Sequence, residues 1–275
     1  MTEHRLPYFY YLLAELAKRN STIEKSFGRH VHWGYWDDPA KARCDDDDYA
    51  RAAEQLTVEL CRLAGIAEDE KILDVGCGFG GTIASLNERF NRLSLTGLNI
   101  DAGQLARARL QVQPLHDNDV TFCQGDACAL PFHDESFDRL LAVECIFHFP
   151  SREAFFKEAF RVLRPGGILA LSDFVPSPLY LPVAWLTISG RAKTEQVFGH
   201  LNVQCTIGRY RRLARQSGLV PVAERNITRN TLPTYRYLQR LVEPIAEVSG
   251  TVLRTLELLG AIGLMNYYLL SFRKP

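Results

Sequence analysis

The stretch LDVGCGFGG, Leu73 to Gly81, places a carboxylate beside a run of glycines where a short apolar segment gives way to a helical pattern. Glycines let backbone amides at a helix start approach a ligand closely, and Asp74 adds an acceptor for an amino or cationic group. A dinucleotide fold spaces its glycines GxGxxG to seat a pyrophosphate. Here Gly76, Gly78 and Gly80 follow GxGxG two residues after Asp74, a pattern better suited to a positively charged ligand group. His148 is the second chemically suggestive residue: it stands between Phe147 and Phe149, four residues beyond Glu144. A histidine with an ordinary pKa of about 6.5 can take a proton from a hydroxyl; orienting an acceptor and simple packing are the other roles open to it. His30, His32 and His200 are alternative bases.

These residues need strands and helices to position them, and the chain supplies an alternation of both from Lys71 onward. KILDVG reads as a strand, Gly81 to Phe90 as a helix, LSLTGLN as a strand, Asp101 to Gln113 as a helix, and VTFCQGDA and SFDRLLAVE as two more strands. SREAFFKEAFRVL carries apolar residues at helical spacing and stops at Arg164-Pro165-Gly166-Gly167, after which GGILALSDF forms a fifth strand. A helix at Ile207 to Ser217, a strand at Leu219 to Ile227, a helix over Thr234 to Leu259 and a strand near Asn266 to Phe272 complete the pattern. Strands separated by helices predict an α/β, doubly wound, largely parallel sheet. Residues 1–64 and 174–206 stand outside the alternation and are candidate lids.

Composition narrows the function classes. With 47% hydrophobic residues in 275, the chain can build a substantial core, and its 32 basic and 32 acidic residues leave no net charge. That balance argues against a broad nucleic-acid-binding surface. Seven cysteines with no CxxC pair encode neither a disulfide framework nor a zinc site, so we expect reduced thiols, no metal and a cytoplasmic location. Glu3 and Glu15 spoil a secretory signal, and the longest uncharged run, Phe174 to Gly190, is broken by Pro176, Pro178 and Pro182, so no transmembrane segment is expected. The Asp45 to Asp48 run reads as a solvated loop or the acidic first turn of a helix.

With Gly125-Asp126 after the third strand, LeuProPhe at 130–132, SerPheAsp at 136–138 and LeuArgProGlyGly at 163–167, the chain resembles the class I S-adenosylmethionine-dependent methyltransferases from Lys71 to Asp173, and its ending NYYLLSFRKP is similar to that family's terminal antiparallel strand. The resemblance implies a seven-stranded Rossmann-like sheet over 65–275, last strand antiparallel, with a helical N-terminal lid over 1–64 and an acceptor-side insertion over 174–206. It implies S-adenosylmethionine as cofactor, held at its methionine portion by Asp74, Gly76, Cys77 and Gly78, with Ile100 and Gln104 in the same site and Asp126 and Ala127 at the adenine. Where the family usually has an acid for the ribose, this chain has Asn99, with Asp101 as a displaced alternative.

HisTrpGlyTyrTrp at 32–36 and the segment from Glu144 to Phe156 resemble a small-molecule subgroup, which includes macrolide, sugar and tocopherol methyltransferases and phosphobase N-methyltransferases. This implies that Glu144 closes the cofactor site, that His148 faces the acceptor as catalytic base, and that the segment around Tyr35 folds over both ligands. His32, Trp33, Tyr35, Trp36 and Trp185 are the candidate acceptor-pocket residues. The expected activity is methyl transfer to a small, largely apolar secondary metabolite at a hydroxyl; nitrogen or carbon methylation and a noncatalytic S-adenosylmethionine-binding subunit are the rivals. The sequence does not set the oligomeric state, and a homodimer is compatible with it.

Overall fold

Alternate side chains along a strand point to opposite faces, and in the central strands of this chain both sets are apolar, the mark of a sheet covered on two sides. The computed structural model describes residues 6–182, 199, 201–242 and 247–275. Its strands are β1 (Lys71–Val75), β2 (Ser94–Asn99), β3 (Asp119–Gln124), β4 (Phe137–Val143), β5 (Leu163–Pro176), β6 (Val220–Asn226) and β7 (Met265–Arg273). Leu73, Val75, Leu140, Ala142, Leu169 and Leu171 join one buried cluster, while their strand neighbours Ile72, Leu141, Val143 and Ala170 join another. The sheet order is β3-β2-β1-β4-β5-β7-β6. β7 slots antiparallel between β5 and β6, from Ile168 opposite Arg273 to Pro176 opposite Met265, as the resemblance implied.

The helices are α1 (Pro7–Ala17), α2 (Ser21–Phe27), α3 (Asp46–Ala64), α4 (Gly81–Arg89), α5 (Ala102–Gln111), α6 (Arg152–Val162), α7 (Ile207–Ser217), the single turn α8 (Thr228–Thr231), α9 (Pro233–Val242) and α10 (Glu247–Ala261). Phe155, Phe156, Leu213 and Ala214 of α6 and α7 cover one face of the sheet. Leu56, Leu60, Ile83, Leu86, Leu105 and Ala108 of α3, α4 and α5 cover the other. Each fully buried Leu or Phe is worth about 1.5–3 kcal/mol over leaving it exposed.

Two boundaries differ from the sequence reading. Residues 1–64 were expected to act together as a lid, but α3 buries Leu56, Leu60, Cys61 and Ala64 against the strands and is a full member of the helical layer. Asp45 caps it by accepting from the Asp48 amide, and Asp46 to Asp48 form its acidic first turn, where the helix dipole favours negative charge. Only α1 and α2 stand apart, in a third cluster with Trp36, Tyr49 and Tyr237. The second difference is the start of the insertion. β5 runs on to Pro176, so Phe174 and Val175 lie in sheet register with Tyr267 and Asn266. Trp185 and His200 lie outside the described residues. Among the described residues, no helix is long and apolar enough to cross a membrane.

Candidate active site

Open α/β sheets bind ligands beyond the carboxyl ends of their strands, and here those ends of β1 to β4 meet in a cavity of about 510 Å³. From β1 and the loop after it come Asp74, Gly76, Cys77 and Gly78; from β2 and α5, Asn99, Ile100 and Gln104. Asp126 and Ala127 follow β3, Glu144 and His148 follow β4, and His32 enters from the N-terminal segment. This volume falls within the roughly 300–1,000 Å³ of small-molecule sites.

The loop after β1 is pinned by the amides of Gly76 and Cys77, which donate to the Leu98 carbonyl at 2.7 and 3.1 Å. Gly76 has φ +75° and lies so close to Cys145 that an added Cβ would be 2.7 Å from that residue's Cβ. At Gly78, φ is +54° and an added Cβ would meet nothing within 4 Å, so the loop leaves open space at this point of the cavity wall. Asp74, 1% exposed, has no hydrogen-bond partner on either carboxylate oxygen. Burial pushes its carboxyl up to about 7, with the neighbouring Thr82 hydroxyl pulling the other way. Leaving a buried carboxylate unpartnered is costly, and a ligand ammonium would supply the missing donors. The amino-acid end of S-adenosylmethionine carries such a group, so these residues fit it.

Asn99 makes two local bonds: its Oδ1 accepts from the Asp101 amide at 3.0 Å and its Nδ2 donates to Gln104 Oε1 at 3.0 Å. Asp101 caps α5 by accepting from the Gln104 amide at 2.8 Å. It is absent from the wall of this cavity. Asp126 accepts from the Cys128 amide at 2.8 Å.

Glu144 has φ +49°, a strained setting for a residue with a side chain. Its Oε2 accepts from the Trp33 amide at 2.8 Å and from the Tyr267 hydroxyl at 2.5 Å. Burial nevertheless pushes its carboxyl up to about 8. His148 ends a single turn over Ile146–His148. Its Nε2 lies 3.4 Å from the Tyr8 hydroxyl, and the two rings stack at 6.2 Å. Tyr8 belongs to the cavity wall, whereas its place in the aromatic run Tyr8 to Tyr11 suggests packing. The sequence itself does not separate Tyr8 from Tyr10 and Tyr11.

His30 and His32 also line the cavity and are buried together, His32 Nε2 lying 3.1 Å from His30 Nδ1. Burial lowers both, His32 to about 3.

The aromatic turn sits elsewhere. Trp33, Tyr35 and Trp36 do not line this cavity, and residues 183–198 of the insertion expected to face them lie outside the described residues. The Tyr35 amide donates to the Ala52 carbonyl, and the Tyr35 hydroxyl accepts from Arg225 Nη2 at 2.7 Å. Trp36 donates from its amide to the Asn230 carbonyl and from Nε1 to Asp48 Oδ2 at 3.0 Å. Trp33 packs edge-on against Phe174 and Tyr235, with ring centroids 5.3 and 5.6 Å away. These residues clasp the N-terminal segment to α3, β5 and the chain around α8 and α9. Among the described residues, no group of three or more His, Cys, Asp or Glu side chains is arranged to hold a metal ion.

A family profile described as a methyltransferase domain matches residues 73–171. The chain is 34% identical over 219 residues to Methyltransferase GfsG of Streptomyces halstedii, spanning 78% of this chain and 74% of that protein. It is 29% identical over 265 residues to the 27-O-demethylrifamycin SV methyltransferase of Amycolatopsis mediterranei, covering 92% and 93% of the two chains. Among solved structures, the [4+2]-cyclase SpnF superposes with a TM-score of 0.74 at 23% identity, over 97% of this chain and 94% of that one, a likeness of fold alone. A glycine loop with an unpartnered acid, strand ends converging on one cavity, and relatives of near full length together establish that this chain belongs to the S-adenosylmethionine-dependent methyltransferases.

Proposed function

We propose that the chain methylates a hydroxyl of a small, lipophilic metabolite, with His148 as the proton acceptor. The observation that carries this reading is the shared cavity: the unpartnered Asp74 and the Gly76 to Gly78 loop stand at one strand end, and His148 at another. Bound S-adenosylmethionine supplies an electrophilic methyl group on a sulfonium. Asp74 accepts from the ligand ammonium, Asn99 and Gln104 face the ribose, and Asp126 and Ala127 meet the adenine edge. Glu144 ties the N-terminal segment to β4 and β7 through Trp33 and Tyr267, and α1 and α2 act as the lid that keeps water from the reacting groups. His148 takes the hydroxyl proton as the oxygen attacks, while the fixed walls hold donor and acceptor in near-attack geometry. Leu6, Phe9, Phe149 and Pro150 give the wall around it an apolar character suited to a lipophilic acceptor. The name of the rifamycin-type relative, an O-methyltransferase of a secondary metabolite, supports oxygen as the methylated atom. The seven cysteines, all free thiols, support a reducing cytoplasmic setting.

The test is incubation of the pure enzyme with methyl-labelled cofactor and an extract of its source, with mass spectrometry of the labelled products. A labelled ether is expected. A labelled amine or a new carbon–carbon bond would overturn the choice of oxygen. Tight cofactor binding without any transfer would overturn the catalytic reading, and a [4+2]-cyclase with this fold illustrates that fold alone does not guarantee methyl transfer.

A further inference from the structure

The sequence of α7, IGRYRRLARQS, holds four arginines and no acid. Glu224 takes up Arg211 at 2.6 and 2.8 Å. Among the described residues, the guanidinium groups of Arg209, Arg212 and Arg215 have no hydrogen-bond or ion-pair partner, in a chain of zero net charge. A single unpaired arginine is ordinary on a surface, but two of these share a place. Arg209 and Arg212 stand one turn apart on α7, where residues at that spacing are neighbours, and with Leu181, Gln204, Thr206 and Gly208 they wall a second cavity of about 520 Å³.

This wall has one chemical sense. A guanidinium only donates, and its planar fork matches the paired oxygens of a carboxylate or phosphate. The Gln204 amide is a further donor. Thr206 Oγ1 accepts from the Arg209 amide at 3.4 Å, which leaves the hydroxyl proton to be given. At Gly208 an added Cβ would meet only Thr206 Oγ1, at 3.9 Å, so nothing crowds the backbone there. No acid lines the cavity, and Leu181, an exposed leucine, adds an apolar surface. A cation is repelled from such a wall, and an oxyanion on an apolar body fits it.

The position ties this cavity to the reaction. Leu181 follows the end of β5 at Pro176 and α7 begins at Ile207, so the arginines stand at the same end of the sheet as the cofactor cavity. The Asn202 amide donates to the carbonyl of Phe147, the residue before His148, at 2.8 Å. Four residues further on, Thr206 is on the arginine wall, and four residues of chain reach at most roughly 14 Å. Resting on the hydroxyl-methylation reading, the geometry points to a second binding site at Arg209 and Arg212 for a carboxylate or phosphate group on a lipophilic molecule, and assigns it to the acidic end of the acceptor, whose hydroxyl lies at His148.

The experiment uses calorimetry on the full chain saturated with S-adenosylhomocysteine, with octyl phosphate as probe and octyl glucoside as its uncharged counterpart. Octyl phosphate is expected to bind at least about tenfold more tightly, and added salt should weaken it. Arg209→Gln combined with Arg212→Gln should cost octyl phosphate at least about tenfold and leave S-adenosylhomocysteine affinity unchanged; both side chains are exposed and unpartnered, so the fold tolerates the change. Arg215→Gln, on the same helix but off the cavity wall, should change nothing. Equal binding of the two probes, or octyl phosphate binding unchanged in the double variant, would overturn the site. An equal loss in Arg215→Gln would also overturn it, by reducing the effect to the diffuse charge of α7. A chain that sediments with phosphatidylglycerol vesicles but ignores octyl phosphate would assign the arginines to a membrane surface instead. In the labelling experiment the product should carry an acidic group, and the double variant should raise the KM for that acceptor at least about tenfold with kcat unchanged; a neutral labelled ether would overturn the assignment to the acceptor. Probe binding is read without methyl transfer, so its failure leaves the hydroxyl reading standing, whereas a labelled amine fails that reading and leaves the anion site standing.

Discussion

In the loop from Asp74 to Gly78, the carboxylate has no protein partner and Gly78 borders open space. In the turn from His32 to Trp36, the polar groups are engaged by the surrounding chain: Glu144 takes the Trp33 amide, Thr234 the Gly34 amide, Arg225 the Tyr35 hydroxyl and Asp48 the Trp36 indole. Only the Trp33 indole nitrogen is buried there without a hydrogen bond. Both stretches are dense in residues that could contact a ligand, and the difference lies in what they leave unsatisfied. A buried polar group without a partner calls for an explanation, and in the loop the proposed cofactor ammonium supplies it; a stretch whose bonds close on its own fold is explained by the fold.

The sharpest way to break this contrast is Gly78→Val. The branched side chain enters the open space of the cavity, and the loss of S-adenosylhomocysteine affinity should be on the order of a hundredfold or more, measured by calorimetry. The left-handed backbone at Gly78 adds strain of about 1–2 kcal/mol, so circular dichroism should show a retained sheet with a modestly lowered Tm. Unchanged affinity would remove the loop from the cofactor site. Next in size is His148→Ala, expected to lower kcat by about a hundredfold while sparing S-adenosylhomocysteine affinity, since general-base assistance is worth roughly 10²–10⁴. A full-speed variant would make the Tyr8–His148 contact structural and favour an amine acceptor, which needs no base.

The contrast also explains what could be read from the chain. The antiparallel setting of the last strand came only from the family resemblance, whereas the strands themselves follow from local apolar runs with a glycine stop next to them in sequence. The cofactor-side residues were legible for the same reason: each sits within a few residues of the strand that positions it. Tyr8 and Arg29 reach the cavity through tertiary packing, and nothing in their immediate neighbours encodes that, whereas Thr82 directly follows the glycine loop. The structural bonds of Trp33, Tyr35 and Trp36 were not legible because their partners Glu144, Arg225 and Asn230 lie more than a hundred residues away in sequence. Asp101 illustrates a local rule overlooked: an acid three residues before Gln104 at the head of a helical pattern is an N-cap.

A smaller, pH-dependent effect follows from Asp74. In the folded chain burial pushes the carboxyl up to about 7, whereas an unfolded aspartate ionises at about 3.9. The native state therefore binds more protons across that window, so the stability contributed by this group is full below the unfolded value and is lost as pH rises towards about 7. Glu144, pushed up to about 8, acts in the same direction. The Tm of the unliganded protein should fall between about pH 5 and pH 8, and Asp74→Asn should flatten part of that slope. The contribution of Asp74 to ligand affinity should move the opposite way, because an ammonium pairs with the ionised carboxylate: relative to Asp74→Asn, the unsubstituted protein should gain S-adenosylhomocysteine affinity as pH rises to about 7. The same pH dependence of affinity in the unsubstituted protein and in Asp74→Asn would mean that Asp74 does not meet the ammonium.

The smallest expected effect tests the other side of the contrast. Tyr35→Phe removes a hydroxyl that accepts from Arg225 Nη2, and Arg225 keeps its second partner because its Nη1 also donates to Glu59 at 2.5 Å. No charge is left unpaired, and the ring retains its buried packing with Leu56 and Leu60. The cost should therefore be that of one hydrogen bond to a charged donor in a partly solvated setting, about 0.5–1.5 kcal/mol of folding stability by denaturant titration. The kinetics should be untouched, because Tyr35 stands behind the cavity wall and its hydroxyl points to β6. If Tyr35→Phe instead raises the acceptor KM while leaving Tm alone, the turn reaches the acceptor in the catalytic state. The N-terminal segment would then be a moving cover whose ligand-facing residues change on closure, and the rule that satisfied polar groups mark architecture would fail at this turn.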